Sequence, residues 1–163
     1  MGKKLDKVQS IVREGKEKSM EARRMGEQAI AEVARIAAVA DSLPQDADDE
    51  VREAYQRMRE NTRERAKEYL ESVVGERVRD AEGKFSESQT EARAQIEKNR
   101  EAESGIRRMD GISQIGRDGR ERAIADIGRS TEQFEHAEGE AQAESRAAGE
   151  TLKQQMARII TEI

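Results

Sequence analysis

Apolar residues recur along this chain at spacings of four, four and three, which makes a repeat of eleven residues. Eleven residues complete three turns at about 3.67 residues per turn, so such a row stays on one side of a nearly straight helix. The pattern therefore predicts long helices that pack along other helices. Three rows carry it: the first is Val51, Tyr55, Met58, Thr62, Ala66, Tyr69 and Val73, the second is Leu70, Val74, Val78, Ala81, Phe85, Ala92 and Ile96, and the third is Ala137, Ala141, Ser145, Ala148, Leu152, Met156, Ile159 and Ile163.

The rows and the helix-breaking residues predict three helices, at about residues 3–41, 46–104 and 120–163. Pro44 separates the first two, because the residue before a proline is steered away from helical dihedral angles. A glycine-rich segment at residues 105–119 separates the last two, and its glycines are Gly105, Gly111, Gly116 and Gly119. We interpret that segment as a turn that closes one end of a bundle, and a kink within one very long helix is the alternative.

The contact row of the first helix has two possible registers. A strict heptad runs through Gly26 and Ala29, whereas the eleven-residue spacing would use Met25 in place of Gly26. The sequence does not distinguish them. In both registers the row is rich in Ala and Gly, which permits close approach of backbones but buries little area.

The positions of the two turns predict where three helices overlap. A fold-back at Pro44 places Leu5 opposite about residue 83, and one near residue 111 places Ile163 opposite about residue 59. The second helix would then meet both neighbours between about residues 59 and 83, where the first two rows overlap. We expect Leu70, Val74 and Val78 to face the third helix, and Tyr69 and Val73 to face the first. The predicted fold class is all-α, an elongated three-helix coiled-coil bundle that forms a single domain over residues 1–163.

Composition limits the kind of protein this is. The chain is 40% charged and only 2% aromatic, which favours thin helix–helix contacts over a thick globular core. It has no cysteine, so it forms no disulfide and no thiolate metal site. Its 30 basic and 35 acidic residues are interspersed, without the one-signed surface that binding to nucleic acid requires. No signal peptide or membrane-spanning segment is recognisable, so we expect a soluble protein, cytoplasmic by default, with no stable membrane insertion.

No pattern of catalytic or metal-binding residues emerges. His136 is the only histidine, and although Glu132 lies one turn away, a di-metal site in a helical bundle needs a histidine from each of two helices. The acidic run at residues 46–50 lacks the glycine and the closing glutamate of a calcium loop. We therefore expect no enzyme activity, no catalytic residue, no cofactor and no metal.

The function expected from these features is that of a self-associating structural protein, such as a component of a filament, an appendage or a virion. The alternative is a helical partner or adaptor for another protein, for example in a secretion or toxin complex. Helix–helix contacts are expected at Val51, Tyr55, Met58, Tyr69, Leu70, Val73, Val74, Val78, Phe85, Ile96, Phe134, Leu152, Met156 and Ile159. Turns or hinges are expected at Pro44, Gly105, Gly111, Gly116 and Gly119.

Overall fold

The computed structural model describes residues 2–109 and 114–161, without the side chains of residues 114 and 115. Within these residues the chain is helical and contains no strand, so the predicted all-α fold with three long helical segments is confirmed. The elements are α1 (Gly2–Asp41), α2 (Asp49–Tyr69), a π-helical turn (Leu70–Val74), α3 (Gly75–Arg107) and α4 (Gln114–Thr161). We call α2, the π turn and α3 together the middle helix, because they follow one another without a break.

The first reversal of the chain is closed by local hydrogen bonds. At the end of α1, the Ser42 backbone N–H and hydroxyl both donate to the Val39 carbonyl, at 3.2 and 3.0 Å. The Ala47 N–H then donates to the Pro44 carbonyl at 3.1 Å. This turn delays the start of α2 to Asp49, three residues later than predicted. Asp49 and Glu50 place negative charge at the positive end of α2.

The second reversal is shorter than the glycine-rich segment suggested. Gly105 lies within α3, and Gly116 and Gly119 lie within α4. Gly111, also predicted as a turn or hinge residue, lies outside the described residues. α3 and α4 run antiparallel, since Arg93 pairs with Glu138 at 2.7 Å while Asn99 donates to Ser130 at 3.1 Å. The segment therefore reverses the chain, and a kinked continuation of one helix is excluded.

The chain forms two packed units, and each contains a part of all three helical segments. One unit consists of residues 1–15 and 83–145, and the other of residues 16–82 and 146–163. Below we call them the 83–145 unit and the 16–82 unit.

The core of the 16–82 unit is a cluster in which all three helices meet. Its members are Ala22, Ile30 and Val33 from α1, Ala66, Leu70, Val74 and Val78 from the middle helix, and Ala148 and Ile159 from α4. Leu70 and Ile159 are fully buried. Leu70 and Val74 thus belong to a core that includes residues of both neighbouring helices. Val73, which we expected to face the first helix, is 41% exposed.

The core of the 83–145 unit is smaller and again includes all three helices. It consists of Val8, Ala92, Ile96, Phe134 and Ala137, with Leu5 packed against it. Three-helix contact therefore extends well beyond the predicted limit at residue 83. The estimate was wrong because the first reversal is centred later than Pro44, so that Lys7 pairs with Glu91.

The α1 contact row follows the strict heptad as far as Gly26, and beyond that residue it follows neither of the two predicted registers. Gly26 is buried and Met25 is only half-buried. After Gly26 the buried position is Ile30, four residues on, and Val33 follows after three. The row therefore keeps heptad spacing up to Gly26 and takes one extra step of four there.

The π turn makes a comparable adjustment to the contact row of the middle helix. Ala66, Leu70, Val74 and Val78 are all buried although each lies four residues after the last. In an α-helix of 3.6 residues per turn, each step of four moves a residue by about 40° around the axis. The Gly75 N–H donates to the Leu70 carbonyl, five residues back, which inserts one residue into the turn. This unwinding helps to keep all four side chains directed at the same core.

Two glycines of α1 are positions of close helix approach. A Cβ placed on Gly15 would lie 2.7 Å from the Phe85 ring, and one on Gly26 would lie 2.6 Å from the Gln155 side-chain carbon. Phe85 is fully buried and Gln155 is 2% exposed. Each of these large side chains therefore occupies space that α1 leaves by lacking a side chain. Gly83, in contrast, has open space around it.

A pair of glycine substitutions tests this packing. Gly83→Ala should stabilise the protein by up to about 1 kcal/mol, because alanine is the better helix former and nothing obstructs its methyl group. Gly15→Ala gains the same propensity but forces the Phe85 ring to move, and overpacking of this kind costs about 1–3 kcal/mol. Urea unfolding followed by circular dichroism measures both. Equal stabilisation by the two substitutions would show that Phe85 does not pack against Gly15.

A second pair tests the three-helix core. Leu70→Ala should cost about 2–5 kcal/mol, the range for large buried residues. Val73→Ala, three residues away on the exposed side of the same helix, should change the free energy of unfolding by about 0.5 kcal/mol or less. Similar losses at both positions would contradict the burial described here.

Candidate functional site

A row of apolar side chains on α2 is left outside the core. Val51 is 40% exposed and Met58 is 47% exposed, while Tyr55 and Thr62 are half-buried. Because these residues are spaced by four and three, helical geometry places them along one side of α2. They belong to the first row, of which Ala66 alone is buried. The part of the first row before Ala66 is therefore exposed or half-buried, although its spacing is that of a helix–helix contact.

A groove between α1 and α2 adjoins this row in the 16–82 unit. It has a volume of about 460 Å³. Its apolar lining includes Met25, Ala29 and Tyr69, and Glu32 and Arg65 provide one charge of each sign. The Glu32 carboxylate accepts a hydrogen bond from Arg35, three residues later on the same helix. The groove is thus a partly apolar surface with charged residues in its lining.

A second cavity, of about 660 Å³, lies where α1 begins in the 83–145 unit. The neighbouring Lys98 lowers the pKa of Lys4, because a hydrogen bond between the two side chains requires that one amine has lost its proton and because two ammonium groups repel each other. The lining residues are Gly2, Lys3, Lys4, Asp6, Gln95, Asn99, Ile127, Ser130 and Phe134. Cations beside a helix N-terminus suit a small anion. However, every buried side-chain nitrogen and oxygen in the described residues already has a hydrogen-bond partner, so the buried polar side chains of this lining, Asn99 and Ser130, are satisfied without a ligand.

A polar layer connects α3 to α4 at the base of this cavity. The Asn99 amide donates to the Ser130 hydroxyl at 3.1 Å and to the Thr131 hydroxyl at 3.3 Å. Its carbonyl accepts a hydrogen bond from Gln95 at 3.0 Å. Asn99 and Ser130 are both buried. Since these bonds form in only one alignment of the two helices, the layer fixes their register.

Gln155 plays the corresponding role between α4 and α1 in the 16–82 unit. Its amide donates to the Arg23 backbone carbonyl at 3.0 Å and to the Glu27 carboxylate at 3.3 Å. Arg158 reinforces this contact with an ion pair to Glu27 at 3.1 Å. The absence of a side chain at Gly26 is what gives Gln155 access to the α1 backbone.

Exposed ion pairs between α1 and the middle helix recur every seven residues. Lys7 pairs with Glu91 at 3.3 Å and Glu14 with Lys84 at 3.1 Å in the 83–145 unit. Glu21 pairs with Arg77 at 3.0 Å in the 16–82 unit. The hydrogen bond from Lys84 to Glu14, together with their opposite charges, raises the pKa of Lys84. Pairs at these flanking positions select helix partners and orientation more than they add stability.

The predicted contact residues fall into three classes of burial. Leu70, Val74, Val78, Phe85, Ile96, Phe134 and Ile159 are buried, Tyr55, Tyr69, Leu152 and Met156 are half-buried, and Val51, Met58 and Val73 are exposed. Pro44 lies in the connection between α1 and α2, as expected for a turn residue. Ile163, the last member of the third row, lies outside the described residues.

Sequence reasoning missed the buried polar residues Ser88, Asn99, Ser130 and Gln155. A signal for three of them was present, because they continue apolar rows at the proper spacing. Ser88 lies between Phe85 and Ala92, Asn99 follows Ile96 by three residues, and Gln155 follows Ala148 by seven. These positions were missed because the rows were traced through apolar residues alone.

The described residues contain no group of three or more His, Asp or Glu side chains arranged to hold a metal ion. His136 is exposed. None of the described helices combines the length and the apolar character needed to cross a membrane. Comparisons with protein-family models, with curated proteins and with solved structures find no match to this chain.

The polar layer at Asn99 is testable by a double-mutant cycle. Asn99→Ala should cost about 1–3 kcal/mol, because it leaves the buried Ser130 hydroxyl without its partner. When Asn99→Ala is combined with Ser130→Ala, the loss in the free energy of unfolding should differ from the sum of the two single losses by about 0.5 kcal/mol or more. A control cycle pairs Asn99→Ala with Thr90→Ala, whose hydroxyl bonds within its own helix, and should show additivity. Additivity in both cycles would mean that the layer does not link α3 to α4.

Proposed function

We propose that this chain is a non-enzymatic structural protein that assembles with copies of itself, as in a filament, an appendage or a virion-like particle. The observation that carries the proposal is the exposed apolar row on α2, with Val51 and Met58 each more than one third exposed. Exposed apolar surface that follows a regular spacing is typical of an interaction site. Further large apolar side chains are exposed at Met20, Val39, Val73, Met109 and Ile160.

The thinness of the cores also supports assembly. Alanine is prominent among the buried residues of both clusters, and the only aromatic members are Phe134 and the partly buried Tyr69. Each alanine removes little apolar area from water, so stabilisation per residue is small. Contacts with further chains add buried area without requiring a thicker core, and most oligomers of soluble proteins are built from identical chains.

A second candidate is a helical adaptor for a different protein. The groove between α1 and α2 favours it, because grooves lined by apolar residues can accept one face of an amphipathic helix. The two candidates differ in what the purified protein does alone. An adaptor remains a monomer until its partner is added, whereas a structural protein forms oligomers by itself.

Self-association is the test of the proposed function. Light scattering coupled to size exclusion, over a hundredfold range of concentration, should give masses that rise above the 18.4 kDa of one chain. Negative-stain imaging of the most concentrated sample would show whether the assembly is closed or extends into fibres. A mass of one chain at every concentration would refute the proposal and leave the adaptor.

A further inference from the structure

Six residues of α2 and its cap form a line that we call the outer row. They are Asp48, Val51, Tyr55, Met58, Thr62 and Arg65, at spacings of three, four, three, four and three. This alternation is the spacing of the contact positions in a coiled coil. All six are exposed or half-buried, and all belong to the 16–82 unit. The outer row is therefore a complete helix-pairing row that the chain does not bury itself.

The row ends in two side chains of opposite charge, and neither has an ion-pair partner among the described residues. Asp48 occupies the N-cap position of α2, where aspartate normally accepts a hydrogen bond from the first turn, but its side chain makes no such bond. Arg65 lines the groove beside Thr62. Neither side chain forms an ion pair in the described part of the chain. A carboxylate and a guanidinium thus stand at the two ends of an apolar row.

This arrangement is complementary to itself in the antiparallel direction. When the row is laid against a reversed copy, Asp48 meets Arg65, Val51 meets Thr62 and Tyr55 meets Met58. A two-fold axis makes each of these contacts twice. A parallel copy would instead bring Asp48 against Asp48 and Arg65 against Arg65. A shift of the antiparallel copy by one heptad would place Asp48 against Met58 in one direction or Arg65 against Tyr55 in the other, and either shift removes water from a charge that has lost its partner.

The flanks of the row permit this pairing. On one flank lie Ala54 and Asn61, which are uncharged and offer no like-charge repulsion. On the other flank, Arg52 donates to the Pro44 carbonyl and Arg59 pairs with Asp41 at 3.0 Å. Both guanidinium groups are therefore held against their own chain, and the Asp41 carboxylate offsets the charge of Arg59. The groove between α1 and α2 lies beside Thr62 and Arg65, where it can receive Val51 of the second copy.

We propose that α2 pairs antiparallel with α2 of a second copy of this chain, along the outer row and around a two-fold axis. The inference rests on the proposed self-association and names its surface. The end charges fix the register, and the apolar residues between them supply the buried area.

Charge reversal at the two ends tests the pairing. Asp48→Arg and Arg65→Asp should each raise the dissociation constant of the dimer about tenfold or more, because each brings like charges together twice. Mixing the two variants should restore dimers, since a chain carrying Asp48→Arg meets opposite charges at both ends of a chain carrying Arg65→Asp. The double variant should likewise form its own homodimer. Native mass spectrometry of chains with different mass labels distinguishes homodimers from heterodimers.

Two control variants make the same charge changes off the row. They are Asp49→Arg, at the residue next to Asp48, and Arg63→Asp, two residues before Arg65. Each should leave the dissociation constant of the dimer within about twofold of that of the original chain. Circular dichroism should be unchanged in all variants, because none of the substituted side chains is buried. If the original chain dimerises and the two single variants dimerise equally well alone, another surface mediates assembly and this inference fails while the proposed function stands. A monomeric original chain would refute both.

Discussion

One geometric constraint governs this fold: a helix of 3.6 residues per turn must keep a narrow apolar row directed at two neighbours over many turns. α1 satisfies it with one extra step of four between Gly26 and Ile30, and the middle helix satisfies it with the π turn at residues 70–74. Both adjustments occur at the same core, since Ile30 and Leu70 belong to one cluster. In a regular α-helix, Ala66 and Val78 would point about 120° apart around the axis. The residue inserted by the π turn reduces this angle, which helps both side chains to join one cluster.

The narrow rows also explain why α1 contains glycines that cost helix propensity. Gly15 and Gly26 each destabilise an isolated helix by about 1 kcal/mol relative to alanine. In the folded chain they accept Phe85 and Gln155, which are among the few large side chains available to fill the interior. The helix-propensity loss is thus offset by burial of a ring at one position and by two hydrogen bonds at the other. The glycines with open space, such as Gly83, have no such compensation.

Periodicity was enough to predict the all-α fold and the helices, but it could not say which neighbour covers a row. The first and second rows have the same spacing, yet every member of the second is buried, whereas all of the first except Ala66 is exposed or half-buried. The glycine-rich segment was predicted too wide because propensity costs of about 1 kcal/mol per glycine do not stop a helix that packs along others. Asn99 and Gln155 were missed because the rows were traced through apolar residues alone, although both residues continue a row at its spacing.

The buried polar residues fix how neighbouring helices are aligned along their axes, which the apolar rows alone do not determine. A row with heptad spacing can slide by seven residues and still bury similar side chains, so a directional contact must select one alignment. Asn99 does this between α3 and α4, and Gln155 between α4 and α1. The outer row of α2 has no buried polar residue, but it has Asp48 and Arg65 at its ends. In the proposed dimer these charges select the register from outside the apolar contact, where they remain partly hydrated and avoid the desolvation cost of a buried ion pair.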